Sequence, residues 1–185
     1  MCTPIQKNYF KRISILIMLL TAILFFTNGA YAQLNSLKQL KNETKDLKLK
    51  EESTKPGDPW TINNVITPDE LVKELKNTKD KKPLILQVGF EFLYNTGHIP
   101  GSKYVGPASE KKGLNSIKQE VKKLKKDTNI VIYCGCCPWN HCPNVRPAFK
   151  MLKDLNFTNV KVLLIKQNFG KDWTDKGYPE EKAKE

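Results

Sequence analysis

The feature that most constrains this chain is a short apolar run that leads directly into a group of cysteines. Residues Ile130–Tyr133 are β-branched or aromatic, which is typical of a buried strand. After Arg146 the apolar positions follow helical spacing instead. The cysteines therefore lie on the loop between a strand and a helix, at the carboxyl end of the strand. Because ligands bind at that edge of open α/β sheets, we expect the functional site in this loop.

Strands and helices alternate through the rest of the chain. Strands are predicted at residues 64–66, 83–89, 103–105, 130–133 and 160–165. A capping box begins a helix at Thr67, with Pro68 at the first helical position and Glu70 completing the box. A second helix is amphipathic, with its apolar face at Leu114, Ile117, Val121 and Leu124. Asn144 is expected to cap a third. This alternation predicts βαβ units and an α/β fold with a mostly parallel sheet.

The N-terminus has the three parts of a secretory signal peptide. Lys7, Lys11 and Arg12 precede an apolar run at residues 13–26, and small residues around Ala32 follow it. We expect cleavage after Ala32, so that the mature protein is exported, either to the periplasm or as a secreted protein. The only membrane contact that we expect is that of the signal peptide before it is cleaved. The alternative is a retained membrane anchor, but about 14 apolar residues are short for a span of roughly 20.

Between the signal peptide and the domain lies a segment rich in Lys, Glu and Asn. Leu34, Leu37 and Leu40 can form one or two helical turns. The segment has too few apolar residues to bury, however, so a weakly helical tether is predicted. The predicted organisation is a signal peptide at 1–32, a charged linker at 33–60, a domain at 61–180 and a C-terminal tail at 181–185.

The chain is basic, with a formal net charge of +12 that becomes +9 when Lys7, Lys11 and Arg12 leave with the signal peptide. A basic excess can indicate nucleic-acid binding. The lysines are spread over helices and linker, however, arginine is rare, and no basic patch is interleaved with aromatic residues. We therefore expect no nucleic-acid partner and only a mild attraction for small anions.

Four of the five cysteines remain in the mature chain, and all four follow residue 133. They are Cys134, Cys136, Cys137 and Cys142. An oxidising compartment permits disulfides, and four cysteines allow three pairings. Near a helix start, backbone N–H groups and the helix dipole also stabilise a reactive thiolate. The loop is therefore either a site of thiol chemistry or a loop held by one or two disulfides.

Three motifs resemble rhodanese-like domains. Gly97–Ser102 is similar to that family's Gly-His-Ile-Pro-Gly-Ala motif, Ile130–Cys134 to the strand that ends in its active-site cysteine, and residues 155–179 to its closing segment. The resemblance covers about residues 61–180 and implies a small five-stranded fold with helices on both faces of the sheet. It also implies a sulfurtransferase, in which a cysteine takes sulfane sulfur from a small anionic donor as a persulfide and passes it to a thiol acceptor.

The resemblance assigns roles to several loop residues. Cys134 occupies the family's nucleophile position, and Arg146 most nearly matches the arginine that ends the family's loop. Arg146 is therefore a candidate for catalysis and for binding the donor's oxyanion. Trp139 can shield the thiol pocket, as part of substrate binding, or pack the loop. The candidate resolving or disulfide-forming cysteines are Cys136, Cys137 and Cys142.

The chain departs from the family pattern at two places. Cys134 to Arg146 span 13 positions, which is longer than the family's usual loop, and Pro138 and Pro143 each remove a backbone donor. The segment Gln87–Gly89 stands where the family commonly has Asp-x-Arg. Thiosulfate as the donor therefore does not follow from the resemblance.

Two other functions are compatible with the loop. One is thiol–disulfide redox chemistry, in which two cysteines near a helix start cycle between thiol and disulfide. The other is metal binding, because soft and borderline ligands suit copper or zinc. Those ligands would be Cys134, Cys136, Cys137, His141 and Cys142. Sulfur transfer itself calls for no cofactor.

Overall fold

The computed structural model describes residues 31–51, 54–79 and 81–183, which fall into two units divided between Leu47 and Lys48. The predicted signal peptide lies outside the described residues except for its last two positions. Among the helices described, none combines the length and the apolar character needed to cross a membrane.

Residues 31–51 form helix α1, whereas the sequence predicted a tether with weak helicity. The side chains of Leu34 and Leu37 are 49% and 64% exposed. Gln39 donates a hydrogen bond to Glu43, one turn further along. Helix propensity and pairs at i,i+4, rather than burial of these leucines, therefore stabilise this stretch.

The second unit contains a five-stranded sheet in which every pair of neighbouring strands is parallel. The strands are β1 (Val65–Ile66), β2 (Leu84–Gln87), β3 (Lys103–Tyr104), β4 (Ile130–Tyr133) and β5 (Val160–Leu163). Their spatial order is β1-β5-β4-β2-β3. This confirms the predicted α/β fold. It also places the strand that leads into the cysteines at the centre of the sheet.

Helices α2 (Pro68–Lys76), α3 (Glu91–Thr96), α4 (Lys111–Val121) and α5 (Val145–Asp154) connect successive strands, and α6 (Phe169–Asp172) follows β5. The capping box predicted for α2 is present. The Thr67 side chain accepts a hydrogen bond from the backbone N–H of Glu70, and the Glu70 carboxylate accepts one from the backbone N–H of Thr67.

The sheet buries an apolar cluster on each face. Strand β4 contributes to both, since Ile130 and Ile132 pack on one face and Val131 and Tyr133 on the other. Helices α4 and α5 cover the first face, and α2 covers the second together with Trp173. Helices therefore lie on both faces, as predicted. Burial of every residue of β4 explains why its sequence is apolar throughout.

The compact unit extends past the predicted domain at both ends. Before residue 61, Trp60 is 4% exposed, and its ring stacks on Trp139 with the centroids 5.2 Å apart. After residue 180, Glu181 exchanges two backbone hydrogen bonds with His98, of 2.8 and 2.9 Å. The last part of the predicted linker and the first part of the predicted tail therefore belong to the folded domain.

Candidate active site

Cys134 is the first residue after β4, and only 3% of its surface is exposed. Together with Gly135 and Cys136 it lines a cavity of about 580 Å³. Phe169 and Lys182, which are distant in sequence, line the same cavity. The predicted site at the end of the central strand is therefore next to a space that can hold a small ligand.

Hydrogen-bond donors surround the sulfur of Cys134. The Cys142 thiol contributes most, and the backbone N–H of Cys136 donates as well. The Sγ of Cys136 lies 3.2 Å away, and the Nδ2 of Asn144 donates at 3.4 Å. Against the opposing effect of burial, these donors lower the pKa of Cys134 from 9.0 to about 6. The site therefore holds Cys134 as a thiolate at neutral pH.

The thiols of Cys136 and Cys142 stay protonated. Burial is the main cause that raises the pKa of Cys136, and the hydrogen bond to Cys134 is the main cause that raises the pKa of Cys142. One negative charge is therefore localised on Cys134 and stabilised by two thiol donors. This arrangement selects one nucleophile among chemically identical side chains.

Asn144 does not act as the predicted side-chain cap. It occupies the position before α5, but its side chain makes no capping hydrogen bond. Its Oδ1 accepts the backbone N–H of Ser109 at 2.9 Å, while its Nδ2 donates to the sulfur of Cys134. Asn144 is 0% exposed, so water does not compete for either atom. Asn144 thus stands at the predicted cap position, but the predicted side-chain cap was wrong, because its amide donates a charge-assisted hydrogen bond to the thiolate instead.

Two glycines bring backbone close to Cys134. Gly135 has a φ of 83°, a left-handed conformation that glycine adopts without strain and that turns the chain so that Cys136 returns to Cys134. A Cβ at Gly89 would lie 2.7 Å from the sulfur of Cys134. Gln87 joins the two segments, since its Nε2 donates to the Cys134 carbonyl at 3.0 Å and its Oε1 accepts the Gly89 N–H at 3.2 Å. The residues that replace Asp-x-Arg therefore shape the site.

Arg146 is bound to Asp58 rather than to the thiolate. Its Nε and Nη2 donate to Asp58 Oδ1 at 3.0 and 2.5 Å, and its Nη1 donates to the Trp139 carbonyl at 3.3 Å. The Asp58 side chain is 3% exposed and neutralises the guanidinium. Among the described residues, these contacts give Arg146 a structural role. Its predicted roles in catalysis and donor binding gain no support from them.

Trp139, the predicted shield of the thiol pocket or packing residue of the loop, is buried and stacked on Trp60, so the structure places it in the packing of the loop and not among the residues of the cavity. His98, in the motif that resembles the family's Gly-His-Ile-Pro-Gly-Ala, is also held in a structural contact. Its Nδ1 lies 2.8 Å from the Tyr94 carbonyl, and its ring stacks on that tyrosine.

The four loop cysteines are free thiols in this structure, so none of the three possible disulfide pairings is formed among them. The sulfur atoms of Cys134, Cys136 and Cys142 lie within 4.8 Å of one another, and the sulfur of Cys137 is 3.1 Å from that of Cys136. Three converging thiols can hold Cu(I) or zinc. His141 is exposed and outside that group. The five candidate metal ligands are thereby reduced to three.

Sequence reasoning missed the cavity residues that come from the end of the chain. Phe169 donates its backbone N–H to the Gly135 carbonyl at 2.9 Å. Lys182 lines the cavity, although it lies in the predicted tail. No local motif marks such residues, because they reach the site only through the fold. One available signal was overlooked, the C-x-x-C spacing of Cys134 and Cys137, which is frequent in redox-active loops.

Comparison with known proteins identifies the fold. Residues 67–164 match the family model described as Rhodanese-like domain. A solved structure from Bacillus halodurans is similar with a TM-score of 0.51 and 21% identity, over 77% of this chain and 86% of that one. A thiosulfate sulfurtransferase from Pseudomonas aeruginosa has a TM-score of 0.50 and 21% identity, over 70% of this chain but only 21% of that one. No curated protein matches the sequence significantly.

Proposed function

The chain belongs to the rhodanese-like domain family, and on that premise we propose that it is a sulfurtransferase that carries sulfane sulfur as a persulfide on Cys134. One observation carries the proposal. The sulfur of Cys134 is surrounded by donors from Asn144, Cys136 and Cys142, and the same residue lines a cavity at the carboxyl edge of the sheet. Donors that converge on one sulfur stabilise the thiolate form, which is the form that attacks.

In the first step, the Cys134 thiolate attacks the outer, sulfane sulfur of the donor. A sulfur–sulfur bond forms to Cys134, and the donor's own bond to that sulfur breaks, so that the leaving group departs with the electron pair. In the second step, an external thiolate attacks the outer sulfur of the persulfide. The Cys134 thiolate leaves and returns to the same donors, which are in place throughout the cycle.

The cavity supports a small anionic donor and a thiol acceptor as the substrates. Its volume of about 580 Å³ admits a small molecule beside Cys134. Lys182 lines the cavity and is exposed, so it can attract an anion before the anion reaches the thiolate. Glu180 also lines the cavity, and its negative charge opposes part of that attraction.

We propose that this chemistry takes place outside the cytoplasm, in the periplasm or in the secreted protein. Support comes from the basic start, the apolar run and the small residues around Ala32 in the sequence. Free thiols in an oxidising compartment need a reductant.

The test is a single-turnover assay with two donors, thiosulfate and an organic thiosulfonate anion. Both carry a sulfane sulfur, and their leaving groups, sulfite and sulfinate, can be measured directly. The reduced wild-type chain is expected to release about one equivalent of leaving group per chain, because each Cys134 accepts one sulfur. Cys134→Ser is expected to release none.

Cys137→Ser is the matched control, since it changes a neighbouring thiol that lies outside the group of three converging sulfur atoms and outside the cavity lining. It is expected to release as much leaving group as the wild type. Release from Cys134→Ser equal to that from the wild type, or no release from any variant with either donor, contradicts the proposed function.

A further inference from the structure

The thiol of Cys136 is positioned to react with a persulfide on Cys134. The two sulfur atoms lie 3.2 Å apart, because the left-handed Gly135 between them folds the chain back. Cys136 is partly buried and lines the same cavity as Cys134. A nucleophile is therefore already in contact with the sulfur that becomes the inner atom of the persulfide.

We propose that Cys136 resolves the persulfide within the protein, so that the chain releases the bound sulfur as hydrosulfide and becomes a Cys134–Cys136 disulfide. This inference rests on the proposed function, since the persulfide on Cys134 must form first. It assigns the chain a second activity, the reduction of sulfane sulfur, in addition to its transfer to an external acceptor.

The step balances in atoms and electrons. The Cys136 thiol gives its proton to the outer sulfur of the persulfide, and the Cys136 thiolate attacks the inner sulfur, that of Cys134, so that a sulfur–sulfur bond forms between the two residues. The bond from Cys134 to the outer sulfur breaks, and the outer sulfur leaves with the electron pair. The proton of the Cys136 thiol ends on that leaving sulfur as hydrosulfide. Two thiols are oxidised to one disulfide while one sulfane sulfur is reduced.

A dithiol reductant must then restore the two thiols by supplying two electrons and two protons. A protein or small molecule with paired thiols can do so by thiol–disulfide exchange, first attacking one sulfur of the Cys134–Cys136 bond. That bond would lie at the cavity, and the exposed Lys182 on the cavity shows that it reaches solvent. The inferred partner is therefore a dithiol reductant of the compartment in which the protein acts.

The geometry favours Cys136 over the other two thiols. Cys142 also hydrogen bonds to Cys134, but it is 2% exposed and is not among the cavity residues, so a disulfide there would be shielded from a reductant. Cys137 lies 3.1 Å from Cys136 and outside the three-sulfur group that contains Cys134. Of the three, only Cys136 combines contact with Cys134 and a position on the cavity.

The experiment uses the full chain, reduced and freed of reductant, with thiosulfate or the organic thiosulfonate and no thiol acceptor. The wild type is expected to release leaving group and hydrosulfide in equal amounts and to lose the mass of two hydrogen atoms. Cys136→Ser is expected to release the leaving group as well, but no hydrosulfide on the same time scale, and to keep the mass of one added sulfur. Cys137→Ser is the matched control and is expected to behave as the wild type.

The outcomes separate the two proposals. Release of leaving group by Cys136→Ser shows that its site is folded and loads sulfur, so the absence of hydrosulfide then reports resolution alone. A wild type that keeps the added sulfur as Cys136→Ser does overturns the inference and leaves the proposed function intact. Hydrosulfide from Cys136→Ser at the wild-type rate overturns the assignment to Cys136. No leaving group from any variant overturns both.

Discussion

The loop of residues 134–144 has two halves that make different contacts, although both contain residues that the sequence marks as candidates for the site. In the first half, Cys134 and Cys136 face a cavity and one another. In the second half, Trp139 stacks on Trp60, and Arg146 in the first turn of α5 pairs with Asp58, so both contact the segment before residue 61. The arginine that follows the loop thus pairs with a buried carboxylate, whereas the donors to the sulfur of Cys134 come from other residues. Contacts between one end of a long loop and a segment that is distant in sequence can fix the position of its other end, here the end that contains Cys134 and Cys136.

The largest expected effect concerns stability and lies in the second half. Arg146→Leu leaves the buried Asp58 carboxylate without its partner, so we expect the free energy of unfolding to fall by roughly 3–5 kcal/mol. Urea denaturation measures the change. Leaving-group release per folded chain is expected to stay at the wild-type level. A large loss of leaving-group release from folded Arg146→Leu would contradict the difference drawn between the two halves, because it would show that Arg146 acts in the reaction.

A smaller effect is expected at the thiolate in the first half. Asn144→Ala removes a donor to the charged sulfur, worth about 1.5–3 kcal/mol, so the pKa of Cys134 should rise by roughly 1 unit or more. A smaller fraction is then ionised at neutral pH, and alkylation of Cys134 becomes slower there. The pH dependence of alkylation measures the shift. Asn140→Ala, in the second half of the loop, is the matched control and should leave the midpoint unchanged. Equal midpoints for Asn144→Ala and wild type would count against the donor role.

Gly135→Ala tests whether the turn between Cys134 and Cys136 positions the Cys136 sulfur. An alanine at φ 83° costs about 1–2 kcal/mol, and its Cβ would meet the Phe169 Cβ at 3.0 Å. Gly177→Ala has similar backbone strain, at φ 68°, with no atom within 4 Å of the new Cβ. Both variants should lose stability, but only Gly135→Ala should slow hydrosulfide release. Equal rates of release in the two variants would show that the turn does not position Cys136.

The smallest effect on stability is expected from an exposed ion pair between residues that are close in sequence. Lys171 pairs with Asp175 at 2.8 Å on an exposed surface, one helical turn away. Water screens such a pair, so Lys171→Met should leave the midpoint of urea unfolding unchanged. A loss comparable with that of Arg146→Leu would mean that burial is not what distinguishes the Asp58–Arg146 pair.

Local patterns predicted the parts of this protein that depend on local physics. The apolar run of β4 follows from burial on both faces, and the Thr67 capping box follows from hydrogen bonds between side chains and backbone N–H groups three residues apart. Arg146 and Asp58 are 88 positions apart, and their pairing depends on packing that no local pattern encodes. The same holds for Asn144, whose amide is a cap by residue type but lies 3.4 Å from a thiolate in the folded chain. The position of Cys134 and the presence of backbone donors near it could therefore be predicted from sequence, whereas the donation from Asn144 and Cys142 could not.

The most direct measurement is the rate of Cys134 alkylation as a function of pH, followed by peptide mass in the reduced full chain. Only the thiolate reacts, so the rate rises with pH until Cys134 is ionised. Donors around the sulfur predict a midpoint of about 6. A midpoint near the ordinary 9.0 would contradict the account, because it would mean that the groups around Cys134 do not stabilise its charge.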